Sequence, residues 1–161
     1  MFRALWLVVC VVTLGCTQGG DEETDEVPAL LRESLPGINQ ECIDAVAEGG
    51  VDAMPQDVRR CFVMTDQKHW AGLWLDGFEG SRFCAEPAKR CTFDTEGQRV
   101  WLSFAEEVES ERPGRYSTGK LYEIEFIGRQ TSEAGAFGHM GGSDREIVVE
   151  KLIRLERVSE S

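Results

Sequence analysis

The sequence predicts a mainly β protein, a small barrel or sandwich of five or six strands with a short N-terminal helical segment. Three observations lead to this expectation. The chain has 161 residues, which is enough for one domain with a substantial core. Short stretches with alternating apolar and polar residues recur after residue 60. Glycine and proline separate these stretches, as they do in proteins built from short strands.

The helical segment is predicted over residues 28–60. A first short helix ends before Pro36-Gly37, because neither residue continues a helix well. Asn39 is placed to cap a second helix, which contains Cys42 and Val46 and ends at Gly49-Gly50. The β domain then covers residues 61–161.

The predicted strands are short apolar or alternating segments at residues 61–65, 70–75, 99–104, 121–127 and 146–158. The stretch from Trp70 to Cys84 is expected to form a hairpin. The last strand changes phase at Leu152 and Ile153, which is typical of a bulged or bent strand.

Residues 1–16 have the pattern of an export signal. Arg3 supplies one positive charge, and residues 4–14 are apolar except for Thr13. An apolar run of this length is too short to span a bilayer as a mature helix, which needs about 20 residues. Gly15-Cys16 resembles a bacterial lipobox, so Cys16 is the predicted lipidation site and the membrane a predicted partner. A plainly secreted product is the alternative.

The residue after Cys16 is Thr17, and the resemblance then favours an outer-membrane lipoprotein on the periplasmic side of the envelope. Residues 17–27 are predicted to form an acidic tether, since they contain five carboxylates and lack apolar periodicity.

Four cysteines remain after the signal: Cys42, Cys61, Cys84 and Cys91. An even number in an exported chain predicts two disulfides. Three pairings are possible, and we expect the sequence-local one, Cys42–Cys61 with Cys84–Cys91. A zinc site is not expected, because there is no Cys-x-x-Cys pair and the chain has only two histidines. The sequence predicts no metal site and no cofactor.

The formal charge is −12, and it becomes −13 if Arg3 is removed with the signal. Nucleic-acid binding requires a cationic surface, so we do not expect a nucleic-acid partner. A protein or small-molecule partner is compatible with the composition.

Two segments carry the candidate ligand-binding residues. The predicted hairpin contains Trp70 and Trp74 as an aromatic platform beside Glu79 and Arg82, although its aromatics can equally belong to the core. A glycine-rich loop follows Arg129 and contains His139, whose imidazole is a candidate general base. A loop histidine bonded to a backbone carbonyl is the simpler alternative. No nucleophile, base and orienting group can be combined, so no catalytic residue is predicted.

The segment from Phe78 to Cys84, the cysteine at 91, and the later Gly128-Arg129, Gly138-His139-Met140-Gly141 and Ile147-Val148-Val149 resemble small exported proteins of alphaproteobacteria with no characterised activity. The resemblance covers about residues 60–158 and implies an exported β domain. The Gly-Arg that ends one strand and the long last strand are also similar to an oligonucleotide-binding-like five-stranded barrel.

These observations support three hypotheses of function. The first is an exported, lipid-anchored envelope protein that serves as a non-catalytic binding or structural module. The second is an inhibitor of a cationic lytic enzyme, because small acidic lipoproteins with disulfides resemble lysozyme inhibitors and acidic charge would steer a basic enzyme. The third is a hydrolase of unknown substrate.

Overall fold

The structure is a computed structural model that describes residues 23–114 and 119–159. The predicted signal, the predicted lipidation site Cys16 and the first part of the predicted tether lie outside the described residues. Within these residues, no helix is long and apolar enough to cross a membrane.

Two helices precede the strands: α1 (Glu23–Ser34) and α2 (Gln40–Gly49). The predicted cap of α2 is confirmed, because the backbone N–H of Cys42 donates to Asn39 Oδ1 over 2.9 Å. The predicted tether is too long, since α1 already begins at Glu23 and includes Pro28. Acidic residues are favourable in the first turn of a helix, so an acidic run alone does not indicate a tether.

Five strands close into a barrel in the order β1-β2-β3-β5-β4, which confirms the predicted mainly β fold. Only β3 and β5 pair in parallel; the other neighbours are antiparallel. This arrangement is consistent with the oligonucleotide-binding-like form of the expectation. The strands are β1 (Lys68–Gly77), β2 (Gly80–Ala85), β3 (Val100–Phe104), β4 (Lys120–Gln130) and β5 (Arg145–Arg157).

The strand predicted at residues 61–65 is wrong. This segment makes only two isolated bridges, Phe62 with Ile38 and Met64 with Thr131. Because β1 already pairs with both β2 and β4, the closed barrel offers this segment no free edge.

The predicted bulge in the last strand is confirmed. Glu125 of β4 pairs with Arg154, and the next residue, Phe126, pairs with Leu152, so Ile153 has no partner of its own in the ladder. A second register shift follows between Ile127 and Gly128. Extra residues of this kind increase strand curvature, which helps a small barrel to close.

The barrel interior contains a packed aromatic and aliphatic core. Trp74 and Phe126 are fully buried, and Phe83 packs edge-on to Phe126 with ring centroids 5.4 Å apart. Aliphatic side chains from β3, β4 and β5 complete it: Leu102, Ile124, Ile147 and Val149.

Both predicted disulfides are present, with Cα–Cα distances of 5.6 Å for Cys42–Cys61 and 5.7 Å for Cys84–Cys91. The first joins α2 to the segment that leads into the barrel. The second attaches residues 86–99, the long connection between β2 and β3, to the end of β2. We call residues 86–99 the strap.

Candidate functional site

Glu79 and His139, both predicted as site residues, meet at one end of the barrel. Glu79 belongs to the turn that joins β1 to β2, and His139 begins a short turn in the glycine-rich loop before β5. His139 Nε2 lies 3.4 Å from Glu79 Oε2. Both side chains are about half exposed, so the pair is an ion pair at the surface whenever the imidazole is protonated.

The backbone at this contact is unusual. Among the described residues, Glu79 (φ 51°) and Met140 (φ 53°) are the only non-glycine residues with positive φ. The left-handed conformation costs an L-residue roughly 1–2 kcal/mol. Strained positions of this kind cluster at functional sites, so their meeting at one contact singles out this end of the barrel.

Large apolar side chains are exposed next to the Glu79–His139 contact. Phe78 and Met140, the chain neighbours of the pair, are 81% and 91% exposed. Phe93, from the strap, is 52% exposed, and its ring lies directly against the α-carbons of Gly77 and Gly80 beside the same turn. We call Phe78, Phe93 and Met140 the hairpin patch. Grouped exposure of large apolar side chains is typical of a protein-interaction surface.

Carboxylates lie beside the hairpin patch. A depression of about 470 Å³ borders Phe78 and is lined by the acidic side chains of Asp76, Glu79 and Glu109. Arg112 supplies positive charge there, and its Nη2 lies 3.3 Å from Oδ1 of the buried Asp76. Its guanidinium also lies over the rings of Trp74 and Phe104, so the ion pair and the two rings together hold Arg112 in place. The depression beside Phe78 therefore carries three carboxylates against one guanidinium.

The glycine-rich loop is positioned by close packing. Gly138 has φ +70° and lies directly under the Trp101 ring, where a Cβ atom would overlap the indole. Phe137, the preceding residue, is buried and packs edge-on to Phe62 with centroids 5.1 Å apart. The loop that carries His139 and Met140 is thus fixed to the barrel on its inner side.

Trp70 and Arg82 line a second cavity, at the opposite end of the β1–β2 hairpin. Its volume is about 400 Å³, and its lining includes Lys68 from β1 and residues of the strap. Lys68 Nζ lies 3.8 Å from the centroid of the Trp70 ring. The indole N–H of Trp70 donates to the Gly128 carbonyl over 3.3 Å, which orients the ring.

Trp74 and Arg129 are both engaged in contacts that hold the fold together. Trp74 is fully buried, and its indole N–H donates to Ser81 Oγ over 2.9 Å, so it belongs to the core and not to a ligand platform. Arg129 Nε lies 3.3 Å from Glu150 Oε1, and Arg59 Nη1 lies at the same distance from that oxygen. This network joins β4 and β5 to the segment before the barrel.

Of the six candidates, the structure therefore places Glu79 in contact with His139 and puts Trp70 and Arg82 in the lining of one cavity, whereas Trp74 and Arg129 lie elsewhere. Phe93, Met140 and Lys68 were not predicted as site residues. The signal that could have indicated the hairpin patch is the position of Phe93 and Met140, two large apolar residues outside the predicted strands. Within the described part of the chain, no group of three or more histidine, cysteine, aspartate or glutamate side chains is arranged to hold a metal ion.

Comparison of the chain with protein-family models, with curated proteins and with solved structures gives no match. The resemblance to small exported alphaproteobacterial proteins remains a prediction from the motifs.

Proposed function

We propose that the protein is an exported, non-catalytic module of the bacterial envelope that binds a protein partner through the hairpin patch. The observation that carries the proposal is the exposure of Phe78 and Met140 around a contact whose two backbone segments are both strained. Exposed apolar side chains cost solubility, and strained backbone costs stability. The simplest reason for a protein to keep exposed apolar side chains and strained backbone at one place is that they contribute to binding.

The expected partner presents a basic surface. The chain has a formal charge of −12, and carboxylates border the hairpin patch. An apolar centre surrounded by charge is the usual anatomy of a transient interface, in which the apolar residues supply most of the affinity and the charges speed association. Association should therefore slow as salt concentration rises.

The location belongs to the same proposal. Two disulfides support an oxidising compartment, because cytosolic proteins rarely keep them. We infer from the sequence that residues 1–16 direct export and that lipid on Cys16 anchors the protein to the outer membrane, facing the periplasm. The position of α1 leaves only a few residues between such an anchor and the first helix.

Copurification tests the partner. The tagged protein, the double variant Phe78→Ser with Met140→Ser, and the control Val63→Ser would be isolated from the same envelope extract. Val63 is 66% exposed but lies outside the hairpin patch, so it matches the change in surface polarity. A basic protein retained by the wild type and the control but lost from the double variant is the expected result. The same set of proteins on all three baits would overturn the proposal.

An inhibitor of a cationic lytic enzyme is the second candidate, and the acidic border of the hairpin patch favours it. In that case the basic partner is the enzyme itself. A lysozyme inhibition assay decides the matter, and no inhibition at micromolar protein would exclude lysozyme as the target.

Catalysis would contradict the non-catalytic part of the proposal. The Glu79–His139 contact is the arrangement that a hydrolase would use for proton transfer. Turnover of any substrate in an envelope panel that disappears in His139→Gln, while the fold is preserved, would replace the proposed function with the hydrolase hypothesis.

A further inference from the structure

Glu146 is a partly buried carboxylate without a cationic partner. The next residue of β5, Ile147, is fully buried in the barrel core, so the alternation along the strand directs Glu146 to the outer face. There Ser103 Oγ donates to Glu146 Oε1 over 2.6 Å. Among the ion pairs of the described residues, none includes Glu146. Charges withdrawn from water are usually paired, so this carboxylate requires an explanation.

The second carboxylate oxygen of Glu146, Oε2, is open to a ligand. Within the described part of the chain, Oε2 accepts no hydrogen bond, whereas Oε1 is engaged by Ser103. The fully enclosed side-chain atoms that lack a partner in this part of the chain are two nitrogens of Arg82. Oε2 is not among them, so it retains accessible surface. A ligand can therefore reach Oε2 without displacing a protein contact.

Glu146 forms part of the wall of a small cavity between the barrel and the chain that precedes it. The cavity has a volume of about 130 Å³. Val58 lines both this cavity and the adjoining depression that contains Ser103, so the carboxylate bonded to Ser103 lies between the two. The remaining wall is mostly apolar and includes Leu35, Met54, Phe62 and Phe137.

The charges around Glu146 favour a cationic ligand. Burial raises the pKa of Glu146, the Ser103 hydrogen bond lowers it, and Asp57, another carboxylate, raises it. Arg59 Nη2 lies 2.7 Å from Asp57 Oδ2, but the same guanidinium also lies 3.3 Å from the carboxylates of Glu107 and Glu150. One cation is thus shared by three carboxylates, and Glu146 lacks a counter-charge.

The geometry selects the kind of cation. Mg²⁺ and Ca²⁺ require about six or more oxygen ligands, which one carboxylate in an apolar wall does not supply. The fork of a guanidinium is best matched by both oxygens of a carboxylate, and Ser103 already occupies Oε1. An ammonium is a compact charge that needs only one acceptor here, and its remaining N–H groups can meet solvent and Gln56, which is exposed.

We propose that this cavity binds a small primary alkylamine, whose ammonium group donates to Glu146 Oε2 and whose alkyl chain lies against Phe62 and Phe137. The ammonium supplies the missing counter-charge, and the alkyl chain covers the apolar wall. An apolar cavity of about 150 Å³ accepts benzene, so this one has room for a chain of about four carbons. No residue of the hairpin patch lines the cavity, so the site is independent of the proposed protein partner.

The test follows the methyl resonances of the methionines by NMR at pH 7 during titration with three probes of equal chain length. These are n-butylamine, the neutral n-butanol and the anionic butyrate. Met54 lines the cavity and is the reporter, whereas Met140 does not and controls for non-specific binding. We expect n-butylamine to shift the Met54 resonance in a saturable way at millimolar concentration or below. The alcohol should bind about tenfold more weakly, and butyrate should not bind.

Two variants accompany the titration. Glu146→Gln keeps the shape of the side chain but removes its charge, so it should weaken n-butylamine binding about tenfold and leave n-butanol binding unchanged. Glu133→Gln is the matched control, because Glu133 is exposed on the loop that supplies Phe137 but does not line the cavity. It should bind as the wild type does. The comparison of amine with alcohol needs no variant, so it tests the site even if Glu146→Gln fails to fold.

Four results would overturn the proposal. The first is the absence of a saturable Met54 shift with n-butylamine, and the second is an equal shift of Met140. The third is an affinity for n-butanol equal to that for n-butylamine, which would mean that the ammonium group is not recognised. The fourth is an affinity of Glu146→Gln for n-butylamine that is no lower than that of Glu133→Gln.

Discussion

Glu79 and His139 lie 60 positions apart in the sequence, yet their side chains are 3.4 Å apart in the fold. The contact joins the β1–β2 turn to the loop before β5. An exposed ion pair contributes at most about 1 kcal/mol, so this contact alone does not explain the strained backbone on both sides of it. The two turns also present Phe78 and Met140 to solvent.

The strain predicts the effect of glycine at position 79. Glu79 has φ 51°, a conformation that costs glycine nothing. Glu79→Gly should therefore raise the free energy of unfolding by roughly 1 kcal/mol, less the small contribution of the His139 contact. Chemical denaturation of the two proteins checks this. Glu79→Ala keeps a Cβ atom while losing the same contact, so it should show no gain; a gain in Ala equal to that in Gly would rule out strain.

The stability conferred by Glu146 should depend on pH. Burial raises the pKa of this carboxyl above its usual 4.5, the hydrogen bond from Ser103 opposes the shift, and Asp57 adds to it. A carboxyl with a raised folded-state pKa destabilises the fold as pH rises from about 4.5 through that pKa. Glu146→Gln should therefore stabilise the protein at pH 7, and the gain should disappear below the usual pKa of glutamate.

Thermal unfolding of Glu146→Gln across that pH range measures the effect, with Glu111→Gln, an exposed carboxylate, as the control. The control should differ little from the wild type. A gain in Glu146→Gln that is constant with pH would mean that the charge of Glu146 is not its cause.

Removal of the shorter disulfide should weaken the fold moderately. Cys84 and Cys91 are seven positions apart, and the chain-entropy model assigns a loop of this size roughly 2.5 kcal/mol. The double variant Cys84→Ser with Cys91→Ser should lose about 2–4 kcal/mol of unfolding free energy in urea denaturation. The strap should also exchange its amide hydrogens faster. An unchanged exchange rate in residues 92–98 would show that the disulfide does not hold the strap in place.

Lipid attachment is tested independently of the barrel. Cys16→Ser should move the protein from the membrane fraction to the soluble periplasmic fraction, because the modified thiol is lost. Cys10→Ser, within the predicted signal, is the control and should leave the fractionation unchanged. Membrane association that persists in Cys16→Ser would contradict the lipid anchor.

Much of the fold could be predicted because it depends on local patterns. The Asn39 cap, the alternation in β4 and the phase change at Ile153 are each encoded within a few neighbouring residues. Residues 61–65 have the same local appearance as a strand but form none. Barrel closure decides this, and it depends on pairing between distant segments.

The candidate site likewise combines features that local patterns predict with features that depend on tertiary packing. Trp70 and Trp74 are four positions apart, an even number, so the alternation places both on one face of β1. The alternation does not indicate how far along the barrel axis each tryptophan lies. Trp74 is at the centre of the core, and Trp70 lines the cavity at the end of the hairpin. The contact of Glu79 with His139 and the position of Phe93 likewise depend on loops whose paths only tertiary packing defines.

The most direct test of the central claim is site-specific photo-crosslinking in intact cells. A photoreactive phenylalanine analogue would replace Phe78 in one protein and Val63 in another, since both positions are exposed but only the first belongs to the hairpin patch. We predict one discrete crosslinked product, containing a basic protein, at position 78 and not at position 63, with its yield reduced when Met140→Ser is also present. No discrete product at position 78, or the same product at both positions, would contradict the account.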